Sequence, residues 1–138
     1  METEATVRRR GEADLSFVEG LHEALAELWV DAPRVPLADR EMFALAVIEV
    51  ATNIATHTPA ASRPVRLDVA LTAGSDLRAV LTDDAPRVDV DLGALSMADA
   101  LSESGRGLAL AAAVCDELSV DWDGGNVWRL RRSLGQAA

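Results

Sequence analysis

Three polar side chains recur at helical spacing within an apolar stretch of the sequence. Glu49, Asn53 and His57 stand four residues apart, and apolar residues such as Val50 and Ile54 flank them. Side chains at this spacing share one stripe of a helix, so a carboxylate, an amide and an imidazole would lie along the margin of an apolar face. A carboxylate or amide that is buried needs a partner. The stripe is therefore either an ordinary solvated edge or a binding site.

A second candidate site is the segment Gly105-Arg106-Gly107-Leu108, which opens an apolar stretch predicted to be helical at 108–115. Glycines let the backbone approach an anion closely, and the free amides at the positive end of a helix favour phosphate. Taken alone, two glycines at this spacing are often only a tight loop. The segment predicts phosphate binding only in combination with other signals.

A third candidate is Asp83, at the predicted end of a strand whose inward side chains are apolar. A carboxylate there can accept a hydrogen bond from an amino group of a base. It would reject a carbonyl at the same place, so it would select adenine over guanine. The alternative explanation for Asp83 and Asp84 is a polar strand end.

The charged residues narrow the chemistry that these candidates can perform. All 13 basic residues are arginine, which excludes Schiff-base chemistry and the phosphate-binding lysine of a P-loop. His57 suits a helix dipole or packing better than a ligand role. No second histidine or cysteine stands at a metal-binding spacing, so zinc is not expected. The formal net charge of -10 argues against non-specific nucleic-acid binding, which needs a positive field.

Length and cysteine content set the class of protein. The 138 residues predict a single domain over residues 1–138, long enough for a hydrophobic core. Cys115 is the only cysteine, so no intrachain disulfide can form and a reducing cytoplasm is the expected location. No run of about 18 apolar residues occurs, and the first ten residues lack the apolar part of a signal peptide. We expect partners that are small molecules or proteins, not membranes or nucleic acid.

The elements that must hold the candidate residues follow from apolar periodicity. Asp14 is the predicted N-cap of a first helix, which ends before the segment DAPRVP that starts at Asp31, and a second helix is predicted from about Leu37 to His57. Residues 84–104 predict a long polar lid with at most one short helix near 96–102. Strands are predicted at 5–10, 65–71, 77–82, 118–122 and 127–134, with a hairpin turn at 124–126.

This order of elements predicts an α/β fold. Helices grouped between hairpins indicate a two-layer α/β sandwich, with a mixed, mostly antiparallel sheet and the helices on one face. The sequence also resembles, over roughly residues 5 to 134, the GHKL ATP-binding (Bergerat) fold, and within it the small anti-sigma serine kinases of the RsbW and SpoIIAB kind. The likeness is carried by EVATNIATH from Glu49, LTDDAP from Leu81, ESGRGLALAAAVCDEL from Glu103 and GGNVWRL from Gly124.

The resemblance implies a role for each candidate residue. Glu49 would be the general base for the attacking hydroxyl, Asn53 would bind Mg²⁺ through its side-chain oxygen, and Asp83 would hold the adenine amine of ATP. The implied reaction is transfer of the ATP γ-phosphoryl to a serine of a STAS-domain anti-anti-sigma partner. The implied kinase is a homodimeric anti-sigma factor that sequesters a sigma factor. The other implied nucleotide-binding positions are Ala85, Gly105, Arg106, Gly107 and Leu108.

One departure from the family pattern keeps other functions open. The family has D-x-G-x-G after the second hairpin strand, whereas Ala85 and Arg87 replace both glycines here. A left-handed backbone at either position would cost about 1–2 kcal/mol, and Arg87 would either reach phosphate or occlude the base pocket. One alternative is a catalytically weak or inactive binding module that sequesters a sigma factor or STAS protein. The other is a switch kinase that activates a phosphatase.

Overall fold

The first helix begins where Asp14 caps it, as the sequence predicts. In the computed structural model, which describes residues 4–57, 64–88, 92 and 106–135, helix α1 runs over Leu15–Asp31. The Asp14 carboxylate accepts a hydrogen bond from the backbone N–H of Phe17 over 2.8 Å. This bond satisfies one of the amides that a helix start leaves free. The chain leaves α1 at Ala32, ahead of Pro33.

Helix α2 occupies Leu37–His57, with the bounds that the sequence predicts. Its apolar face is fully buried at Phe43, Val47 and Val50. Glu49 and Asn53 are half-buried, at the margin of that face. A third helix, α3, covers Arg106–Val114 and packs against α2. The predicted polar margin of α2 is therefore a structural feature of the folded chain.

Five strands form one sheet, in which every pairing is antiparallel in the described part of the chain. Their spatial order is β1-β2-β3-β5-β4. Alternate side chains of β2 and β3 are buried, so one face of the sheet carries the core and the other remains open. The strands are β1 (Ala5–Glu12), β2 (Arg66–Ala73), β3 (Asp76–Asp83), β4 (Glu117–Trp122) and β5 (Asn126–Ser133).

The three helices contribute to the core on the buried face of the sheet. Helix α1 packs on β1 and β2, α2 on β3 and β5, and α3 on α2 and β4. Buried side chains of all three helices and of the strands belong to one hydrophobic cluster. The predicted two-layer α/β sandwich with helices on one face is thereby confirmed.

An ion pair between a buried carboxylate and a partly buried guanidinium joins the two layers. Arg132 of β5 donates from Nε to Oδ1 of Asp39 over 3.0 Å, and from Nη1 to the carbonyl of Val114 over 2.6 Å. Asp39 lies in the first turn of α2, and Val114 is the last residue of α3. One guanidinium therefore bonds both the carboxylate near the start of one helix and a carbonyl at the end of another helix, where carbonyls lack a partner within the helix.

Most of the predicted lid, and the whole short helix predicted near 96–102, lie outside the described residues. Residues 84–88 and 92 are the part of the lid that the structure describes. The predicted turn between β4 and β5 is present, with Gly124 at a φ of 73° that suits glycine. None of the described helices combines the length and the apolar character that a membrane span requires.

Candidate functional site

The start of α3 lies directly against Glu49 of α2. A Cβ placed on Gly107 would stand only 2.6 Å from Oε2 of Glu49. Because a heavy-atom contact that short is not tolerated, any side chain at Gly107 would push the carboxylate away. The fold therefore brings together two motifs that are far apart in the sequence, a helix margin and a glycine-rich helix start. A carboxylate and the amides of a helix start, which can bind phosphate, meet at this point.

Asn53 stands one helical turn beyond Glu49 on the same half-buried margin of α2. Its side-chain oxygen is a hard ligand of the kind that Mg²⁺ prefers. Among the described residues, no group of three or more histidine, cysteine, aspartate or glutamate side chains could hold a metal ion. A single amide oxygen is compatible with an Mg²⁺ ion only where phosphate oxygens and water supply the other ligands. The side chain of His57, the third residue of the stripe, lies outside the described residues.

Asp83 ends β3 with its carboxylate inside the protein, where the residue is 2% exposed. Its Oδ1 accepts hydrogen bonds from Nδ2 of Asn126 over 2.8 Å and from the backbone N–H of Ala85 over 3.0 Å. Its Oδ2 accepts from the indole N–H of Trp128 over 3.1 Å. Three N–H donors compensate the desolvation of this carboxylate, which has no cationic partner among these contacts.

Asn126, opposite Asp83 in the pairing of β3 with β5, also holds the loop that follows β3. Its Nδ2 lies 3.0 Å from the carbonyl oxygen of Pro86 and 3.3 Å from that of Ala85, and its Oδ1 accepts from the N–H of Val88 over 2.8 Å. Three oxygens around the nitrogen and one N–H at the oxygen determine which way the amide points. One side chain thereby fixes the first five residues of the predicted lid.

The loop after β3 does not use the backbone that the missing glycines would allow. In the described part of the chain, positive φ angles occur only at Gly124 and Gly135. Ala85 and Arg87 therefore incur no left-handed penalty, and the expected cost of about 1–2 kcal/mol does not arise. Ala85 is buried, and Arg87 is exposed. The loop has a conformation of its own, built on hydrogen bonds to Asp83 and Asn126.

The remaining predicted positions divide between the core and the undescribed part of the chain. Leu108 belongs to the hydrophobic core and is 7% exposed. Arg106 begins α3, with its side chain outside the described residues, and Gly105 lies outside them altogether. Of the two glycines, the structure describes Gly107, and it is the one that lies against Glu49.

Sequence reasoning missed Asn126 and Trp128. Both point to the core face of β5, beside the buried carboxylate of Asp83. One signal was available, because an inward tryptophan needs an acceptor for its indole N–H. The identity of that acceptor depends on the register between β3 and β5, which no local pattern gives.

Comparison with known proteins identifies the family. Residues 12–132 match the family model of the histidine kinase-like ATPase domain. The chain is also similar to a crystal structure of the RsbU and RsbW domains of Rv1364c from Mycobacterium tuberculosis, with a TM-score of 0.65 and 18% sequence identity. The likeness covers 97% of this chain and 34% of the other, so this chain spans about a third of the length of that structure. A likeness at this identity shows the fold. No curated protein matches the chain. Because the family model covers most of the sequence, the chain belongs to the histidine kinase-like ATPase domains, as its motifs had implied.

Proposed function

We propose that this protein is an anti-sigma factor with ATP-dependent serine kinase activity, acting on a STAS-domain anti-anti-sigma partner. The observation that carries the proposal is the close approach of Glu49 to Gly107 at the start of α3. Phosphoryl transfer to a hydroxyl needs a proton acceptor beside the phosphates. This contact supplies a carboxylate at the helix end that favours anions.

In the proposed reaction, the bond between the γ-phosphorus and the oxygen shared with the β-phosphate breaks. A bond from the same phosphorus to the serine oxygen forms, the hydroxyl proton passes to Glu49, and ADP leaves. Free amides at the start of α3 compensate phosphate charge, a role that does not require a lysine. The half-buried position of Glu49 limits the hydration of the carboxylate that would accept this proton.

The proposal assigns Mg²⁺ to Asn53. When bound, the ion would neutralise phosphate charge. Asn53 would contribute one oxygen and orient the phosphates relative to Glu49, one turn away on α2. Asp83 is assigned to the adenine amine, and residues 84–104 to a lid within a single domain. The further nucleotide-binding positions in this proposal are Ala85, Gly105, Arg106, Gly107 and Leu108.

The proposed partners are a sigma factor and a STAS-domain protein, bound by a homodimer in the cytoplasm without direct contact to nucleic acid or membrane. The RsbW domain of the similar structure supports this assignment at the level of the fold. A second candidate function is a binding module with weak or lost catalysis. The contacts at Asp83 favour it, because three internal donors already bond the carboxylate assigned to adenine.

A phosphotransfer assay separates these functions. The protein is mixed with Mg-ATP and a candidate STAS partner, and phosphoserine on the partner is measured. We expect Glu49→Gln and Asn53→Ala each to lower the rate by about 10²-fold or more, in the range of a general base or a charge-neutralising group. Glu41→Gln, an exposed position on the same helix, is the matched control and should react normally.

Each outcome of the assay assigns a function. Transfer that survives both site substitutions would overturn the site assignment. Binding of the partner without any transfer by the wild-type protein would establish the binding module. Partner capture adds a second readout, because a sigma factor supports the anti-sigma role, whereas a phosphatase supports a switch kinase.

A further inference from the structure

The indole of Trp128 bonds the carboxylate that the proposed function assigns to the base of ATP. Its N–H donates to Oδ2 of Asp83 over 3.1 Å, and Trp128 is 1% exposed. An exocyclic adenine amine is also an N–H donor and would need the same kind of acceptor. We propose that Trp128 is an internal competitor of adenine, so that its hydrogen bond to Asp83 lowers the affinity for ATP. This inference rests on the proposed function of Asp83.

Little acceptor capacity remains on the Asp83 carboxylate. A carboxylate offers about four lone-pair sites, two on each oxygen. The amide of Asn126 and the N–H of Ala85 take both sites on Oδ1, and the indole takes one of those on Oδ2. An incoming amine must either share Oδ2 with the indole or displace it. In both cases the base gains less than it would from an unoccupied carboxylate oxygen.

Packing prevents the indole from simply turning away. Trp128 lies opposite Leu81 of β3 on one side and Val120 of β4 on the other. Its ring is part of the hydrophobic core, so moving it would open contacts across three strands. Release of Oδ2 is therefore coupled to the packing of the core. Trp128, the proposed competitor, is a residue of the sheet and not of the lid.

Of the three donors to Asp83, Trp128 is the one whose removal tests the competition with adenine alone. Asn126 and the N–H of Ala85 also shape the loop after β3, so changing either disturbs several bonds at once. The indole makes a single hydrogen bond with its only N–H. Trp128→Phe removes that donor and keeps an aromatic ring in the core. A matched control is Trp122→Phe on the neighbouring strand, where the tryptophan is 43% exposed.

If the indole competes with adenine, its removal should raise the affinity for ATP and lower the stability of the protein, and the experiment measures both. Titration calorimetry with Mg-ATP and Mg-GTP gives affinity, and thermal unfolding gives stability. We expect Trp128→Phe to bind Mg-ATP roughly tenfold more tightly than wild type, as expected for one hydrogen bond to a charged group, with no gain for Mg-GTP. Its melting temperature should fall, because a buried carboxylate has lost a donor. Trp122→Phe should leave both affinities as in wild type.

The outcomes separate this inference from the proposed function. Binding of Mg-ATP by the wild type, with equal or weaker binding by Trp128→Phe, overturns the competition alone. Equal tightening for Mg-ATP and Mg-GTP also overturns it, because the indole would then not compete for the adenine amine. Absence of Mg-ATP binding by both proteins overturns the competition together with the proposed function.

A measurement on the wild type decides the matter if Trp128→Phe does not fold. The indole N–H resonance of Trp128 is identified by eliminating those lost in Trp29→Phe and Trp122→Phe, since the chain has three tryptophans. We expect saturating Mg-ATP to shift this resonance and to speed its exchange with solvent, and Mg-GTP to leave it unchanged. An unchanged resonance at saturating Mg-ATP overturns the inference. Absence of any response in the spectrum overturns it together with the proposed function.

Discussion

Replacing Arg132 with methionine should destabilise the protein more than any other single change to an ion pair between described residues. The side chain of Asp39 is 5% exposed and that of Arg132 is 16% exposed, with 3.0 Å between Nε and Oδ1. Arg132→Met leaves a buried carboxylate without its cation, which typically costs about 3–5 kcal/mol. The same change removes the donor to the last carbonyl of α3. Against a total stability of about 5–15 kcal/mol, the loss is large.

Urea unfolding followed by circular dichroism gives the free energy of unfolding for each variant. Arg129→Met is the matched control, because its pair with Asp121 joins two side chains that are 55% and 68% exposed, and should cost less than about 1 kcal/mol. Asp39→Asn should cost less than Arg132→Met, since a long arginine side chain can reach solvent. The double variant tests coupling, expected at about 0.5–3 kcal/mol. Equal losses for Arg132→Met and Arg129→Met would refute the reasoning.

Three further predictions test other parts of the structure. Gly107→Ala should lower the rate of phosphotransfer, because its Cβ would displace the end of the Glu49 side chain, and an unchanged rate would contradict the steric argument. Gly20→Ala in α1, where a Cβ meets nothing within 4 Å, is the control and should raise the free energy of unfolding by about 0.5–1 kcal/mol. Burial raises the pKa of the Cys115 thiol from 9.0 to about 11, against a smaller lowering by Arg132. Iodoacetamide labelling at pH 8 should therefore be slow, and the free energy of unfolding should decline as the pH rises from about 9 towards 11. Fast labelling of the folded protein would contradict this prediction. Asn126→Ala should speed hydrogen exchange at the backbone N–H of Val88 and leave exchange of the α1 amides unchanged. Protection of Val88 equal to wild type would show that the Asn126 side chain does not hold the loop.

Local signals predicted the elements well, for physical reasons visible in the structure. The bounds of α2 agree with the prediction because Pro36 and Pro59 restrict where a helix can run. The start of α1 agrees because Asp14 bonds the amide of Phe17 within a single turn. Strand ends were less accurate. Strand β2 continues to Ala73, beyond the predicted end at 71, because pairing with β1 and β3 extends it.

The candidate site was predicted in its residue types and only partly in its contacts. The stripe on α2 and the helix start at Gly107 were both identified from sequence, but their mutual approach is a tertiary contact. The partners of Asp83 follow from the register of β3 with β5, which aligns it with Asn126. No periodicity within one segment contains that information. From sequence, Asp83 was expected either to accept from a base or to be a polar strand end, and the structure shows three internal donors to it.

The bond from Arg132 to Val114 has a mechanical consequence for the other end of α3. The helix has nine residues and is therefore about 13 Å long. Arg132 bonds the carboxyl end of this helix to β5 and α2, and Gly107 lies near its other end, next to the core residue Leu108. At that length, a tilt of about 10° around the carboxyl end would move Gly107 by roughly 2 Å relative to Glu49. The ion pair at the carboxyl end of α3 therefore acts together with core packing in holding the helix at this spacing from Glu49.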